Sequence, residues 1–300
     1  MLKIAFHKDY FHPVPNGHRF PMEKYELLPQ QLIYEGTVTE EAFFEPGMID
    51  KELLLAVHTE QYVEDLLSLQ IDPKDQRKTG FIHSEQLIRR EQIIMEGTRK
   101  AAEYALKNGV AMNISGGTHH AYSNKGEGFC LLNDNAIAAK WLLKNKLANK
   151  VLIIDLDVHQ GDGTAEIFKN TPEVFTFSMH GQNNYPLKKQ VSDLDVALTD
   201  GIKDDEYLYL LEKNVNEIFQ NFTPDFIFFQ SGVDILETDK LGKLNLSIAG
   251  CKKRDEFVCK LAKEVNVPIV ASMGGGYSKE IKHIVEAHSN TFRVAQDVFF

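Results

Sequence analysis

The 300-residue sequence predicts one α/β domain: a parallel sheet with helices on both faces. Three observations predict it. Six short apolar runs lack the alternation of a half-exposed strand, as expected when both faces of a strand are covered. Helical patterns separate those runs, and that order gives a parallel sheet. Polar clusters fall at the carboxyl ends of several runs, where such sheets bind ligands.

Strands are expected at 2–6, 110–114, 151–156, 174–178, 225–230 and 267–272. The first long helix is expected at 85–106, where Leu87, Ile94, Ala101 and Tyr104 recur at helical spacing. Further helices are expected at 133–146, 162–169, 204–219, 251–264 and 278–287. The charged stretch 72–80 reads as a loop. With no internal repeat or Pro/Gly/Ser-rich linker, residues 1–300 read as a single domain.

Composition narrows the partners. Hydrophobic content of 43% and charged content of 25% suit an ordinary globular fold. A net charge of −10 repels phosphate, so no direct nucleic-acid binding is expected. The acidic body would tolerate or attract a cationic partner, such as a lysine-rich peptide or a polyamine. The three cysteines, Cys130, Cys251 and Cys259, form no disulfide pattern. An early charge at Lys3 argues against a signal peptide, and no apolar run reaches membrane-span length. The expected location is the cytoplasm.

The segment 151–163 carries most of the chemistry. An apolar strand runs into Asp155, Asp157, His159 and Asp162. If the chain stays extended, Asp155, Asp157 and His159 share one side, and such a cluster requires a cation to be stable when buried. A helix cap accounts for Asp162 but not for Asp157 and His159. A second strand, 225–230, leads through Ser231-Gly232-Val233 to Asp234. Asp157, His159 and Asp234 together offer three ligands and leave room for water on Zn²⁺, as a catalytic site requires.

Three more segments end near strands. His119 and His120 follow Gly116-Gly117-Thr118. Irregular backbone there would let both imidazoles enter one cavity, with Asp155 and Asp162 available to orient them. Gly274, Gly275 and Gly276 allow backbone to approach a ligand and free Tyr277 to donate to a developing oxyanion. A packed surface Tyr is the bland alternative. Gly128 and Phe129 lie in a glycine-rich turn, where Phe129 either walls a narrow channel suited to the methylene stem of a lysine or fills core.

The segments GGTHHA (116–121), GEGFCLLND (126–134), DLDVHQGDGT (155–164), SGVDIL (231–236) and GGGY (274–277) resemble, in order, those of histone deacetylases and related bacterial deacylases. His18-Arg19-Phe20-Pro21-Met22 and the stretch from Val57 to Tyr62 extend the resemblance to nearly the whole chain. The look is that of class IV deacetylases and bacterial deacetylase-like amidohydrolases. The resemblance implies an arginase/deacetylase-type fold with a sheet of about eight strands. It implies that Asp157, His159 and Asp234 bind Zn²⁺, with Fe²⁺ as the alternative in the cell. His119 and His120, oriented by Asp155 and Asp162, match the acid–base pair, and Tyr277 matches the oxyanion donor. Phe129, beside Gly128, matches one tunnel wall, and Gly275 lies in the ligand-approaching turn. Arg19 resembles an arginine lining an internal acetate cavity, and Asp155 and Ser178 fall where a structural K⁺ binds. The segment Gly181 to Pro186 departs from the family pattern, so the opposite wall and the acyl-chain preference are not assigned.

The expected activity is removal of acetyl or other acyl groups from lysine side chains. The alternatives are an acetylpolyamine or small acyl-amide hydrolase, a two-metal amidinohydrolase, and a silent acyl-lysine-binding module. The sequence carries no signal for oligomeric state.

Overall fold

Leu152, Ile154 and Leu156 join one buried core cluster, while Val151 and Ile153 join another. Ile227 and Phe229 separate from Phe226 and Phe228 in the same way. Successive strand residues point to opposite faces, so both faces of this sheet are buried. That is why its strands read as unbroken apolar runs.

The computed structural model describes residues 1–300. Eight strands form the sheet: β1 (Lys3–Ala5), β2 (Phe43–Phe44), β3 (Val110–Asn113), β4 (Val151–Asp155), β5 (Val174–Gly181), β6 (Leu194–Leu198), β7 (Phe226–Gln230) and β8 (Ile269–Ser272). All neighbours pair in parallel, in the order β2-β1-β3-β8-β7-β4-β5-β6. The helices are α1 (Lys24–Tyr34), α2 (Lys51–Leu55), α3 (Glu60–Leu67), α4 (Pro73–Thr79), α5 (Glu85–Asn108), α6 (Asp134–Lys144), α7 (Asp162–Phe168), α8 (Asp204–Asn221), α9 (Ile248–Glu264) and α10 (Ile281–Phe299). Alanines of α5 and α6, with Phe168 of α7, cover one face. Residues of α1, α8, α9 and α10 cover the other. No helix is long and apolar enough to cross a membrane.

Each expected strand forms. The two unexpected ones, β2 and β6, are the sheet edges. β2 has two residues, and β6 alternates between exposed and partly buried positions. The stretch expected as a loop is the helix α4. Asp72 caps it by accepting from Lys74 N at 2.8 Å, Pro73 begins it, and Gly80 ends it at φ +78°. These are proper start and stop signals. The residues between them are nearly all polar, so no apolar stripe announces the helix.

β3, β8, β7 and β4 are neighbours in the centre of the sheet. Their carboxyl ends lead to His119 and His120, Tyr277, Asp234, and Asp157 with His159, respectively. The carboxyl-terminal side of the sheet thus gathers residues more than a hundred positions apart.

His58, just before α3, ties the loop carrying the paired histidines to the loop carrying Phe129. Its Nδ1 lies 2.9 Å from Tyr122 O, and Asn133 N donates to its Nε2 at 3.1 Å. Only the neutral ring, protonated at Nδ1, makes both bonds. Burial lowers this imidazole from 6.5 to about 4. The unfolded chain therefore binds the proton first, and stability falls as pH drops from 6.5 towards 4. The linkage is worth roughly 2–3 kcal/mol at pH 4.5. We expect His58→Gln to show a correspondingly shallower loss of urea stability between pH 6.5 and 4.5. Identical slopes for variant and wild type would remove His58 from the acid response.

Candidate active site

β4 ends at Asp155, and the chain then leaves the extended conformation. Simple alternation therefore does not bring Asp157 and His159 together. Local hydrogen bonds do: Asp157 N donates to Asp155 Oδ1 at 3.2 Å, and His159 N donates to Asp157 Oδ1 at 3.0 Å. From β7, Asp234 is fixed by Val158 N, which donates to its Oδ1 at 2.9 Å. Gly275 N donates to Asp157 Oδ2 at 2.9 Å, and a Cβ at Gly275 would collide with both carboxylates. Glycine is required there because the backbone itself packs on the ligand atoms.

The three side chains converge. His159 Nδ1 lies 3.1 Å from Asp157 Oδ1 and 3.1 Å from Asp234 Oδ2. One donor atom of each residue falls within 4.8 Å of the others, and all three residues are buried. Ligands ~2.0–2.2 Å from a tetrahedral Zn²⁺ sit a little over 3 Å apart, so this set fits the ion. The charges say the same. Burial opposes a charge on His159, but its bonds to Asp157 and Asp234 raise it to about 10. Burial and the adjacent Asp157 push Asp234 up to about 7. Without a metal the site draws in protons, which is what buried carboxylates do when their counter-charge is missing.

The histidine pair sits on irregular backbone, with Gly116 at φ +81° and Gly117 at φ +72°. Asp134 anchors this turn by accepting from Thr118 N and Thr118 Oγ1, both at 2.9 Å. The rings lie 4.1 Å apart. His119 Nδ1 meets Asp155 Oδ2 at 2.7 Å, and His120 Nδ1 meets Asp162 Oδ1 at 2.6 Å. Each carboxylate holds Nδ1 protonated and leaves Nε2 to act. Asp162 is the first residue of α7 rather than its cap, and it also accepts from Tyr122 Oη at 2.7 Å.

The two imidazoles are driven apart. Burial opposes charge on His119, yet Asp155 and Asp157 outweigh it and raise the ring to about 9. Burial and the charge of His119 lower His120 to about 4, against the pull of Asp162. The pair therefore carries one positive charge at neutral pH, on His119 while Asp157 is free of a cation. A cation on Asp157 would weaken that residue's hold on His119, so metal binding bears directly on which ring carries the proton.

Tyr277 is buried, not a surface residue. Its ring packs 6.0 Å from Phe20, 5.9 Å from Phe129 and 6.4 Å from His159. Its N–H donates to Asp239 Oδ2 at 2.6 Å. Burial and the nearby carboxylates push its phenol well above the ordinary tyrosine value, so it stays a donor. Behind it, the buried Lys24 donates to Gly274 O at 3.1 Å and lies 4.9 Å from the Phe20 ring. Burial lowers this ammonium to about 8, against the pull of Asp234 and Asp157.

Phe129, held at φ +68°, and Tyr185 both line a mouth of about 360 Å³ that leads to His120, His159 and Tyr277. Gly128 lines it too and backs onto the His120 ring. Tyr185 brings to this mouth the segment from Gly181 to Pro186, whose part the sequence left unassigned. Its ring stands 4.9 Å from His120, and its hydroxyl donates to Glu127 Oε2 at 2.5 Å.

Arg19 requires a correction. It is exposed at the outer mouth, because its neighbour Phe20 turns inward among Phe81, Phe129 and Tyr277. The inner cavity, about 30 Å³, is lined instead by Arg90 of α5. Arg90 donates to Tyr10 O at 2.7 Å, pairs with Glu91 and lies 5.1 Å from the Tyr25 ring. Arg90 is missed in the sequence reading; the signal that could have found it is a charged pair on the buried face of a helix, which Leu87, Arg90, Glu91 and Ile94 share.

A parallel sheet that delivers ordered imidazole–carboxylate pairs beside an Asp–His–Asp cluster defines a hydrolase of the deacetylase type. The chain belongs to the histone deacetylase family: the family model described as "Histone deacetylase domain" matches residues 18–292. It is 41% identical over 296 residues to an uncharacterized protein of Picosynechococcus sp., covering 99% of each chain. It is 30% identical to histone deacetylase 2 of Arabidopsis thaliana, covering 89% of this chain and 72% of that one. A crystal structure of an HDAC homolog complexed with SAHA superposes with a TM-score of 0.85 at 27% identity, over 99% of this chain and 84% of that one. The family is zinc-dependent in general, and this chain is a histone deacetylase-like hydrolase.

Proposed function

We propose that residues 1–300 act as one catalytic domain that hydrolyses the acyl amide of an acyl-lysine. Zn²⁺ would be held by Asp157, His159 and Asp234. The carrying observation is the convergence of these three buried ligands beside two histidines, each bonded to its own carboxylate. The bound ion supplies Lewis acidity to the amide carbonyl and acidifies water.

The chain's own groups do the rest. The imidazole that is neutral takes a proton from the attacking water at Nε2. The carbon–nitrogen bond then breaks, and the imidazolium returns a proton to the departing lysine amine. Asp155 and Asp162 keep each ring in the productive tautomer. Tyr277 donates to the oxygen that gains negative charge. Phe129 and Tyr185 exclude water from the methylene stem, with Gly128 and Gly275 giving it clearance.

The same ligand set suits Fe²⁺, and metal analysis of the native protein distinguishes the two ions. Asp155 and Ser178, register partners on β4 and β5, would border the structural K⁺. Three free, buried thiols accord with a cytoplasmic location. Turnover of a fluorogenic acetyl-lysine peptide should be abolished by a chelator and restored by zinc. No turnover by fully metallated protein would refute the deacylase reading.

A further inference from the structure

Four side chains lining the outer mouth are cations: Arg19, Arg77, Lys78 and Lys243. No acid lines it. The cations come from separate regions, namely the segment before α1, the last turn of α4 and the loop after β7. An adjoining hollow, which shares Arg19 and Tyr277 with the mouth, adds Lys240 and Lys279 against the single acid Glu23. The whole chain carries 43 acids against 33 Lys and Arg, so the sign at the entrance opposes that of the body.

Three of the four cations at the mouth have no ion-pair partner within the chain. Lys78 pairs with Asp75 at 2.7 Å. Lys243 donates to Asn183 O at 3.0 Å, which orients its ammonium and leaves its charge intact. Arg19 and Arg77 are exposed and make no ion pair within the chain. Of the neighbouring carboxylates, Glu127 is offset by a lysine, while Asp239 turns both oxygens to backbone amides, which orients its charge without cancelling it. Glu127 holds Lys125 and the Tyr185 hydroxyl, both at 2.5 Å. Asp239 accepts from the amides of Leu241, Gly242 and Tyr277. Favourable placement at a helix C-terminus accounts for Arg77 and Lys78 in α4. It accounts for neither Arg19 nor Lys243.

A cleft lined by one sign of charge concentrates its field and selects ligands of the other sign. Guanidinium groups in particular match carboxylates. Resting on the deacylase reading, we propose that this mouth selects acylated amines carrying carboxylates beside the scissile amide. It would disfavour lysine-rich tails and polyamines. The net charge of the chain suggested the opposite preference, because it averages over a surface that the substrate does not meet.

The test uses the zinc-loaded full chain and three acetyl-lysine peptides flanked by Glu, Ala or Lys. Acetylputrescine and Nα-blocked acetyl-lysine, as free acid or as amide, complete the panel. At low ionic strength the Glu-flanked peptide should exceed the Lys-flanked one in kcat/KM by ~10-fold or more, mainly through KM. The gap should narrow in about 0.5 M salt. The double variant Arg19→Glu/Arg77→Glu should reverse the order. Equal or better turnover of the Lys-flanked peptide or acetylputrescine would overturn the proposal, as would an order unchanged by charge reversal. A free-acid preference as large as that of the peptides assigns the selection to small acyl amino acids, and one confined to peptides assigns it to acidic proteins. Should even the Ala-flanked peptide resist hydrolysis, the deacylase reading fails. The affinity ranking of the same peptides on the Tyr277→Phe chain then still decides the charge selection.

Discussion

Asp234→Asn should fold, lose zinc and lose nearly all turnover. Asparagine keeps the shape of the side chain, and its oxygen still accepts from Val158 N, which now donates to Asp234 Oδ1 at 2.9 Å. What it removes is the charge. Loss of a mere outer-shell partner costs ~10–100-fold in metal affinity, and losing one of three direct ligands should cost more. The metal-free proteins should behave differently. Burial and Asp157 raise Asp234 to about 7, so the native state holds this proton over a pH range in which the unfolded chain has released it. Stability therefore falls as pH rises through that range, and near pH 7 the charge opposes folding. The metal-free variant should melt no lower than metal-free wild type. Zinc content by elemental analysis and paired melting curves check both halves. Full zinc occupancy in the variant would show that Asp234 is not a ligand.

How much of this site was legible depended on how local each signal was. Asp157, His159 and Asp234 stand out because an ionisable group directly after an apolar strand has no ordinary structural reason to be there. The paired histidines carry a signal of the same kind. Arg90 does not, because one arginine in a long amphipathic helix reads as surface until the stripe of Leu87, Glu91 and Ile94 is drawn around it. Tyr185 was hidden for another reason. Its position beside His120 depends on how the loop between β5 and β6 folds back, and Gln160 anchors that loop by donating to Gln190 O and Asp195 Oδ1, both at 2.8 Å. Such a contact spans about thirty residues and leaves no periodic trace. Arg19 shows the reverse hazard. A motif fixed its neighbourhood correctly but not its direction, which Phe20 decides by turning into the aromatic cluster. The edge strands β2 and β6 were unreadable because a strand with one open side or two residues lacks the buried apolar run that marks the others.

Tyr277→Phe should lower kcat by ~10²–10³-fold while zinc remains bound. The ring is held by packing against Phe20, Phe129 and His159, and phenylalanine keeps all three contacts. The backbone bond to Asp239 does not involve the side chain. Stability should therefore change little, in contrast to the loss of a buried aromatic ring, which costs ~3–5 kcal/mol. The hydroxyl is a different matter. Burial beside Asp234 and Asp157 keeps it protonated, so it reaches the reaction as a donor and not as a phenolate. A donor aimed at charge that appears only as the amide carbonyl becomes tetrahedral stabilises the transition state more than bound substrate. The loss should then fall on kcat, with KM nearly unchanged. A fall in KM-side binding alone would recast Tyr277 as a wall of the pocket, and near-normal kcat would exclude it from the chemistry. Because the same variant retains its metal ligands and both histidines, it separates oxyanion stabilisation from metal binding and proton transfer in a way that no substitution at Asp157, His159 or Asp234 can.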